Sequence, residues 1–144
     1  MTWVHDQIYA AGGEHIPNNW QTFADQTGIS AIIHLRNMAP VQFRGLPAQA
    51  FLWLNLGDES QTTVNDRLLV AQFLEMCLQN KLSVLLHSDH GRHRVRWIVV
   101  AYLILTGRSV RGAIREVEER PWLAPYHTRV DSWQSFFEHV KKLA

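Results

Sequence analysis

The sequence predicts an α/β domain, a central and mostly parallel sheet flanked by helices, and three observations carry that expectation. Short apolar runs at 29–36, 51–56 and 82–86 alternate with stretches of helical period, the pattern of repeated strand–helix–strand units. Residues 82–107 compress one such unit: 82–86 suits a buried strand, and the apolar stretch 95–105 is long enough for a buried helix that stops at Gly107. Finally, 144 residues with 47 % apolar and 19 % charged side chains describe a chain that folds rather than one that stays disordered. That length is most simply one domain, 1–144.

Taken in order, residues 3–9 alternate loosely and run into Ala10, Ala11, Gly12 and Gly13, a first strand and its turn. Asn18 or Asn19 offers an N-cap, and Trp20, Phe23, Ala24 and Thr27 fall at helical spacing before Gly28 ends the helix. Residues 29–36 read as the next strand, so strand, helix and strand imply a right-handed parallel unit. Residues 37–50 hold two prolines, a glycine and no clear period, and are expected to be a loop. A third strand at 51–56 ends at Gly57, Asp58, Glu59 and Ser60. Thr62 or Thr63 can cap a helix over 64–80, with Leu69, Phe73, Met76 and Cys77 repeating on one face. Beyond Gly107 a helix over 109–119 turns Ala113, Ile114 and Val117 inward and Pro121 closes it, followed by a loop at 122–127. The last helix, from about residue 129, spaces Val130, Trp133, Phe137 and Val140 three and four apart, with Lys141 and Lys142 suited to its negative C-terminal end.

Charge and cysteine content narrow the class. A net charge of +1 lacks the broad basic excess of a nucleic-acid-binding surface. No apolar run approaches the roughly 20 residues needed to span a bilayer, and no secretory or transit signal opens the chain, so the expectation is a cytoplasmic, monomeric protein. The single cysteine, Cys77, excludes an internal disulfide; its apolar helical surroundings suit a buried structural thiol. Positive charge is instead local, running through Arg92, Arg94, Arg96, Arg108, Arg111 and Arg115.

That local charge sits where a strand, a compact loop and a helix meet. Such an arrangement aims successive backbone N–H groups and the positive end of a helix dipole at one point, a place where an anion binds. Arg94, at the start of the helix, can add a planar two-pronged grip on phosphate. A cation there is unfavourable by about 0.3–1 kcal/mol unless an anion accompanies it, which argues for function.

The loop itself, His87-Ser88-Asp89-His90-Gly91-Arg92-His93-Arg94, resembles the His-Cys-x-x-Gly-x-x-Arg signature of cysteine-dependent tyrosine and dual-specificity phosphatases. His87, Gly91 and Arg94 match in place, while Ser88 stands where the family carries its nucleophilic cysteine and Val95 where a Ser or Thr is usual. The Gly-Arg-His-Arg ending is similar to the Gly-Lys-His-Arg of the plant and fungal atypical branch, whose substrates include inositol pyrophosphates. The resemblance implies a dual-specificity-phosphatase-like fold, a phosphate held by residues 88–94 (Ser88, Asp89, His90, Gly91, Arg92, His93 and Arg94), a supporting role for His87, and no cofactor. It also implies that Asp58, on the loop after the third strand, is the general acid; the residue-level alternative is a turn cap. Glu59 is the poorer candidate, because an adjacent side chain points elsewhere.

Serine at position 88 changes the expected outcome. A cysteine thiol of pKa about 8.5 falls to roughly 3.5–7.5 in such a field, whereas a serine hydroxyl stays un-ionised and needs a neighbouring base. Binding of a phosphorylated protein or inositol phosphate without turnover is therefore expected. Two histories fit equally: a relative that recognises phosphate without hydrolysing it, and an enzyme whose cysteine was replaced. Metal binding by His87, His90 and His93 is disfavoured, since side chains on a tight loop diverge and no carboxylate-rich surround is evident. A serine-hydrolase reading fails for lack of a Gly-x-Ser-x-Gly elbow.

Overall fold

One strand is surrounded on every side. Strand β5 (Ser83–Ser88) is buried from Val84 to its end, because it lies in the middle of a five-stranded sheet with helices packed on both faces. A strand covered twice needs apolar residues in a continuous run rather than in alternation, and Val84, Leu85 and Leu86 supply it. The computed structural model describes residues 2–12, 20–35, 48–56, 58–88, 95–120, 126 and 128–143. Within them the other strands are β1 (Thr2–His5), β2 (Ile8–Gly12), β3 (Ile29–Leu35) and β4 (Ala50–Leu54), and the sheet order is β1-β2-β5-β3-β4. Only β1 runs antiparallel to its neighbour.

That antiparallel edge corrects the expected single strand over 3–9. The chain instead makes a hairpin, with Asp6 at φ 50° between β1 and β2 and Trp3 Nε1 donating to the Asp6 carbonyl at 2.8 Å. Aspartate tolerates the left-handed region better than most residues, so the turn forms without the glycine that usually announces one.

Among the described residues five helices divide unequally over the sheet: α1 (Trp20–Thr27), α2 (Val64–Gln79), α3 (Arg96–Leu105), α4 (Val110–Glu118) and α5 (Asp131–Leu143). Helix α1 lies on one face, where Phe23 and Ala24 pack on Ala11, Ile29, Ile32 and Leu85. Ile29 and Ile32 share that face despite opposite parity because the register slips between Ile29 and Ala31. The other four helices build the main core over Val4, Ile8, Ala10, Ala31, Ile33, Leu35, Val84 and Leu86.

Helix α2 begins with a full capping box, Thr63 Oγ1 accepting from Asp66 N and Asp66 Oδ2 from Thr63 N. Its inward face is Arg67, Val70, Ala71, Leu74 and Cys77; of the expected Leu69, Phe73, Met76 and Cys77, Cys77 alone is fully buried. Leu69 and Met76 are 45 % and 48 % exposed, and Phe73 is half-buried. The helix is rotated because a charged residue, Arg67, belongs to the buried side, which a hydrophobic pattern does not reveal. Helix α4 turns Val110, Ala113, Ile114 and Val117 inward, as the spacing predicts, behind a Ser109 cap. Helix α5 buries Trp133 and Phe136, edge to face at 5.5 Å, while the expected partners Val130, Phe137 and Val140 are only partly covered. The expected caps Asn18 and Asn19 and most of the loops at 37–50 and 122–127 lie outside the described residues.

Candidate phosphate-binding site

Parallel pairing sends the C-terminal ends of β2, β5, β3 and β4 to a single edge of the sheet, the edge at which open α/β sheets receive ligands. Ser88 is the last residue of β5 at that edge, paired with Gly12 on one side and Leu35 on the other, and only 2 % exposed. Two positions on from Leu86, it shares the face covered by the four-helix layer. Asp89, His90, Gly91, Arg92, His93 and Arg94 lie outside the described residues.

The chain re-enters the description at Val95, fully buried, and continues into α3, whose Trp97, Ile98, Val99, Val100 and Ala101 are all buried. No side-chain cap and no acidic residue occupy the first turn of this helix. The N–H groups of this first turn have no acceptor within the helix, so this end of α3 is the positive end of its dipole.

His87 points to the opposite face, beneath α1. Its cross-strand neighbour is His34 of β3, with the rings 4.8 Å apart at 15° and the two Nδ1 atoms separated by 2.9 Å. Both histidines are buried. At that distance one Nδ1 donates and the other accepts, so His87 Nδ1 is committed to His34 rather than to the Ser88 hydroxyl.

Asp58 follows β4 at the same edge of the sheet, and β4 lies two strands from β5, roughly 10 Å at the usual strand spacing. The side chain is exposed, and Oδ1 accepts from Glu59 N at 2.7 Å, capping the short 3-10 turn Glu59–Gln61. Ser60 Oγ adds a long contact of 3.5 Å to Oδ2. Glu59 turns the other way, into the protein. Its Oε1 accepts from Tyr126 OH at 2.8 Å, Trp133 Nε1 at 2.9 Å and Thr128 Oγ1 at 3.2 Å.

Arg67 closes that cluster from α2. Its guanidinium lies 3.8 Å over the Trp133 ring, Nε donates to Thr62 Oγ1 at 2.8 Å, and Nη1 donates to the Ser132 carbonyl at 2.6 Å. Burial lowers the Arg67 pKa and the Glu59 charge opposes that shift. The same two influences, with Tyr126 adding to the second, act on half-buried Arg96, whose guanidinium sits 5.4 Å from the Tyr126 ring centre. The cluster was not legible in the sequence, because its members are scattered from Glu59 to Trp133 with no shared period.

The remaining arginines of the basic run take other places. Arg108 pairs with Glu116 at 3.3 Å, and Arg111 and Arg115 are exposed on α4 beside a cavity of about 180 Å³. Among the described residues no three His, Cys, Asp or Glu side chains gather as a metal site, and no helix is long and apolar enough to cross a membrane.

No family profile and no curated protein matches the chain. Solved structures do. Human DUSP28 superposes with a TM-score of 0.75 at 16 % identity, covering 100 % of both chains. PTPMT1, solved in complex with PI(5)P, gives 0.69 at 18 %, over 96 % of this chain and 95 % of that one. The human tyrosine phosphatase-like serine/threonine/tyrosine-interacting protein gives 0.61 at 22 %, over 85 % and 82 %. The chain has the fold of the dual-specificity and tyrosine phosphatases.

Proposed function

We propose that this domain binds a phosphorylated ligand, a phosphoprotein or an inositol phosphate, in the loop 87–94, and that Ser88 makes it a recognition domain without turnover. The observation that carries the reading is Ser88 at the buried end of the central strand, followed by a signature loop and an uncapped buried helix, in a chain of phosphatase fold. Arg94 grips the phosphoryl oxygens in this reading, and backbone N–H groups of 89–94 complete the cradle. That a structural neighbour was solved with a phosphoinositide supports a phosphorylated ligand of this kind. The protein is taken to act as a cytoplasmic monomer and needs neither metal nor cofactor for this chemistry.

With cysteine at position 88 the same cradle becomes a phosphatase. The thiolate attacks phosphorus, the P–O bond breaks, and its electron pair stays on the leaving oxygen, which takes the proton of the Asp58 carboxyl. Asp58, now a carboxylate, removes a proton from water as that water attacks the phosphocysteine. The S–P bond breaks, releasing phosphate and restoring the thiolate. Serine interrupts this sequence at its first step, because the field that ionises a thiol does not ionise a hydroxyl. Binding is tested by titrating the chain with tungstate, a phosphate analogue, in a calorimeter. Saturable binding that Arg94→Ala weakens at least tenfold supports the reading, and equal affinity in the two proteins overturns it.

A further inference from the structure

A turn that only needed a cap would have been complete with Asp58. This one is held from behind at every level. Glu59 Oε1 takes three donors from the segment 126–133, and Thr62 Oγ1 donates to the Glu59 carbonyl at 2.7 Å while accepting from Arg67 Nε. Tyr126 and Trp133 are buried, 4 % and 0 % exposed, so their donors have been withdrawn from water to meet this one carboxylate. Burying such groups is unfavourable unless the partners are fixed, and a network of this kind orders the backbone that bears it.

The backbone it orders belongs to Asp58. The Glu59 amide N–H is the donor to Asp58 Oδ1, so the orientation of one carboxylate follows from the anchoring of the next residue. On its far side the cluster reaches the other half of the site: Tyr126, which donates to Glu59, lies under Arg96, the first residue of the helix that follows the 87–94 loop. We infer that Glu59 is a positioning residue for Asp58, a half-buried carboxylate that holds the acid turn in fixed relation to the helix behind the phosphate cradle.

Two electrostatic facts agree with this. Burial and the Glu59 charge together raise the Tyr126 pKa, which keeps the phenol protonated and donating at any working pH. Arg67 of α2 and Arg96 of α3 both feel the Glu59 charge, so the cluster is tied electrostatically to two helices.

The inference rests on the phosphatase reading of the cradle, and its test separates the two. In the Ser88→Cys background, kcat/KM is measured on phenyl phosphate, whose leaving group needs a proton, and on p-nitrophenyl phosphate, whose leaving group needs it less. Glu59→Gln should lower the first roughly tenfold and the second less than about threefold, a split that general loss of structure does not produce. In an Asp58→Asn background the same substitution should add nothing, since the residue acts through Asp58. Equal falls on both substrates, or full additivity with Asp58→Asn, overturn the inference. If Ser88→Cys turns over neither substrate, the phosphatase reading fails and takes the catalytic half of the inference with it. Hydrogen exchange in the chain as given still decides the anchoring: Glu59→Gln should accelerate exchange at 58–62, and unchanged exchange there overturns it.

Discussion

His34 and His87 face each other across two adjacent strands with their Nδ1 atoms 2.9 Å apart, so the residue that precedes Ser88 is pinned by a partner fifty-three positions away in the chain. Both rings are buried, and the contact requires one tautomer to donate and the other to accept. Replacing His34 by Phe keeps a flat ring of similar size but removes the polar partner of His87 Nδ1. The expected cost is about 1–3 kcal/mol, the usual penalty for stranding a buried polar group. Urea denaturation of the two proteins measures it; a loss under about 0.5 kcal/mol would mean the contact contributes little.

Cys77 gives the fold an alkaline limit. The thiol is wholly buried, and burial pushes its pKa from 9.0 up to about 11. A raised folded-state value means that the native state holds its proton more tightly than the unfolded chain does. The resulting stability is complete below the unfolded value and is lost as pH rises through the folded one, so it should fall between pH 9.0 and about 11. Tyr126, also raised, extends the fall from pH 10.0 upward. Thermal unfolding of the Cys77→Ala protein should therefore show a shallower decline over the first window. A slope identical to that of the parent would contradict the assignment.

Helices α2 and α3 end in the same motif built from different residues. In α3, Gly107 N donates to the Ile104 carbonyl and Arg108 N to that of Leu103, with Gly107 at φ 115°. In α2, Lys81 N donates to Leu78 and Leu82 N to Cys77, but the left-handed position is taken by Lys81 at φ 61°. A side chain there is strained by roughly 1–2 kcal/mol, offset in part by the entropy that glycine would lose on folding. Lys81→Gly is expected to stabilise the protein by about 0.5–1 kcal/mol in urea denaturation, and Gly107→Ala to destabilise it by about 1 kcal/mol or more. Stabilisation by Gly107→Ala would show that its cap geometry is not as described.

Much of this structure is legible in the sequence, where local physics decides. Within the runs at 29–36 and 82–86 lie the strands Ile29–Leu35 and, extended to Ser88, Ser83–Ser88; Thr63 caps α2 as its position suggests, and Gly28 and Gly107 follow helix ends. The hairpin at Asp6 was hidden because its turn lacks glycine and asparagine. The rotation of α2 was hidden because its inward face contains Arg67, whose burial is offset by contacts with Trp133, Thr62 and Ser132. Within the site, the apolar run ends the expected strand at Leu86 and leaves Ser88 to the loop, whereas β5 continues to Ser88 because pairing with Gly12 and Leu35 extends it beyond the apolar residues. The Glu59 cluster was hidden too, since its donors come from the far end of the chain.

Hydrolysis of p-nitrophenyl phosphate by three proteins tests the central claim most directly: the chain as given, Ser88→Cys, and Ser88→Cys/Arg94→Ala. The account predicts turnover by Ser88→Cys alone, with the chain as given silent for want of a thiolate and the double variant reduced by about 100-fold or more for want of the guanidinium. Silence in all three, or equal turnover with and without Arg94, would contradict it.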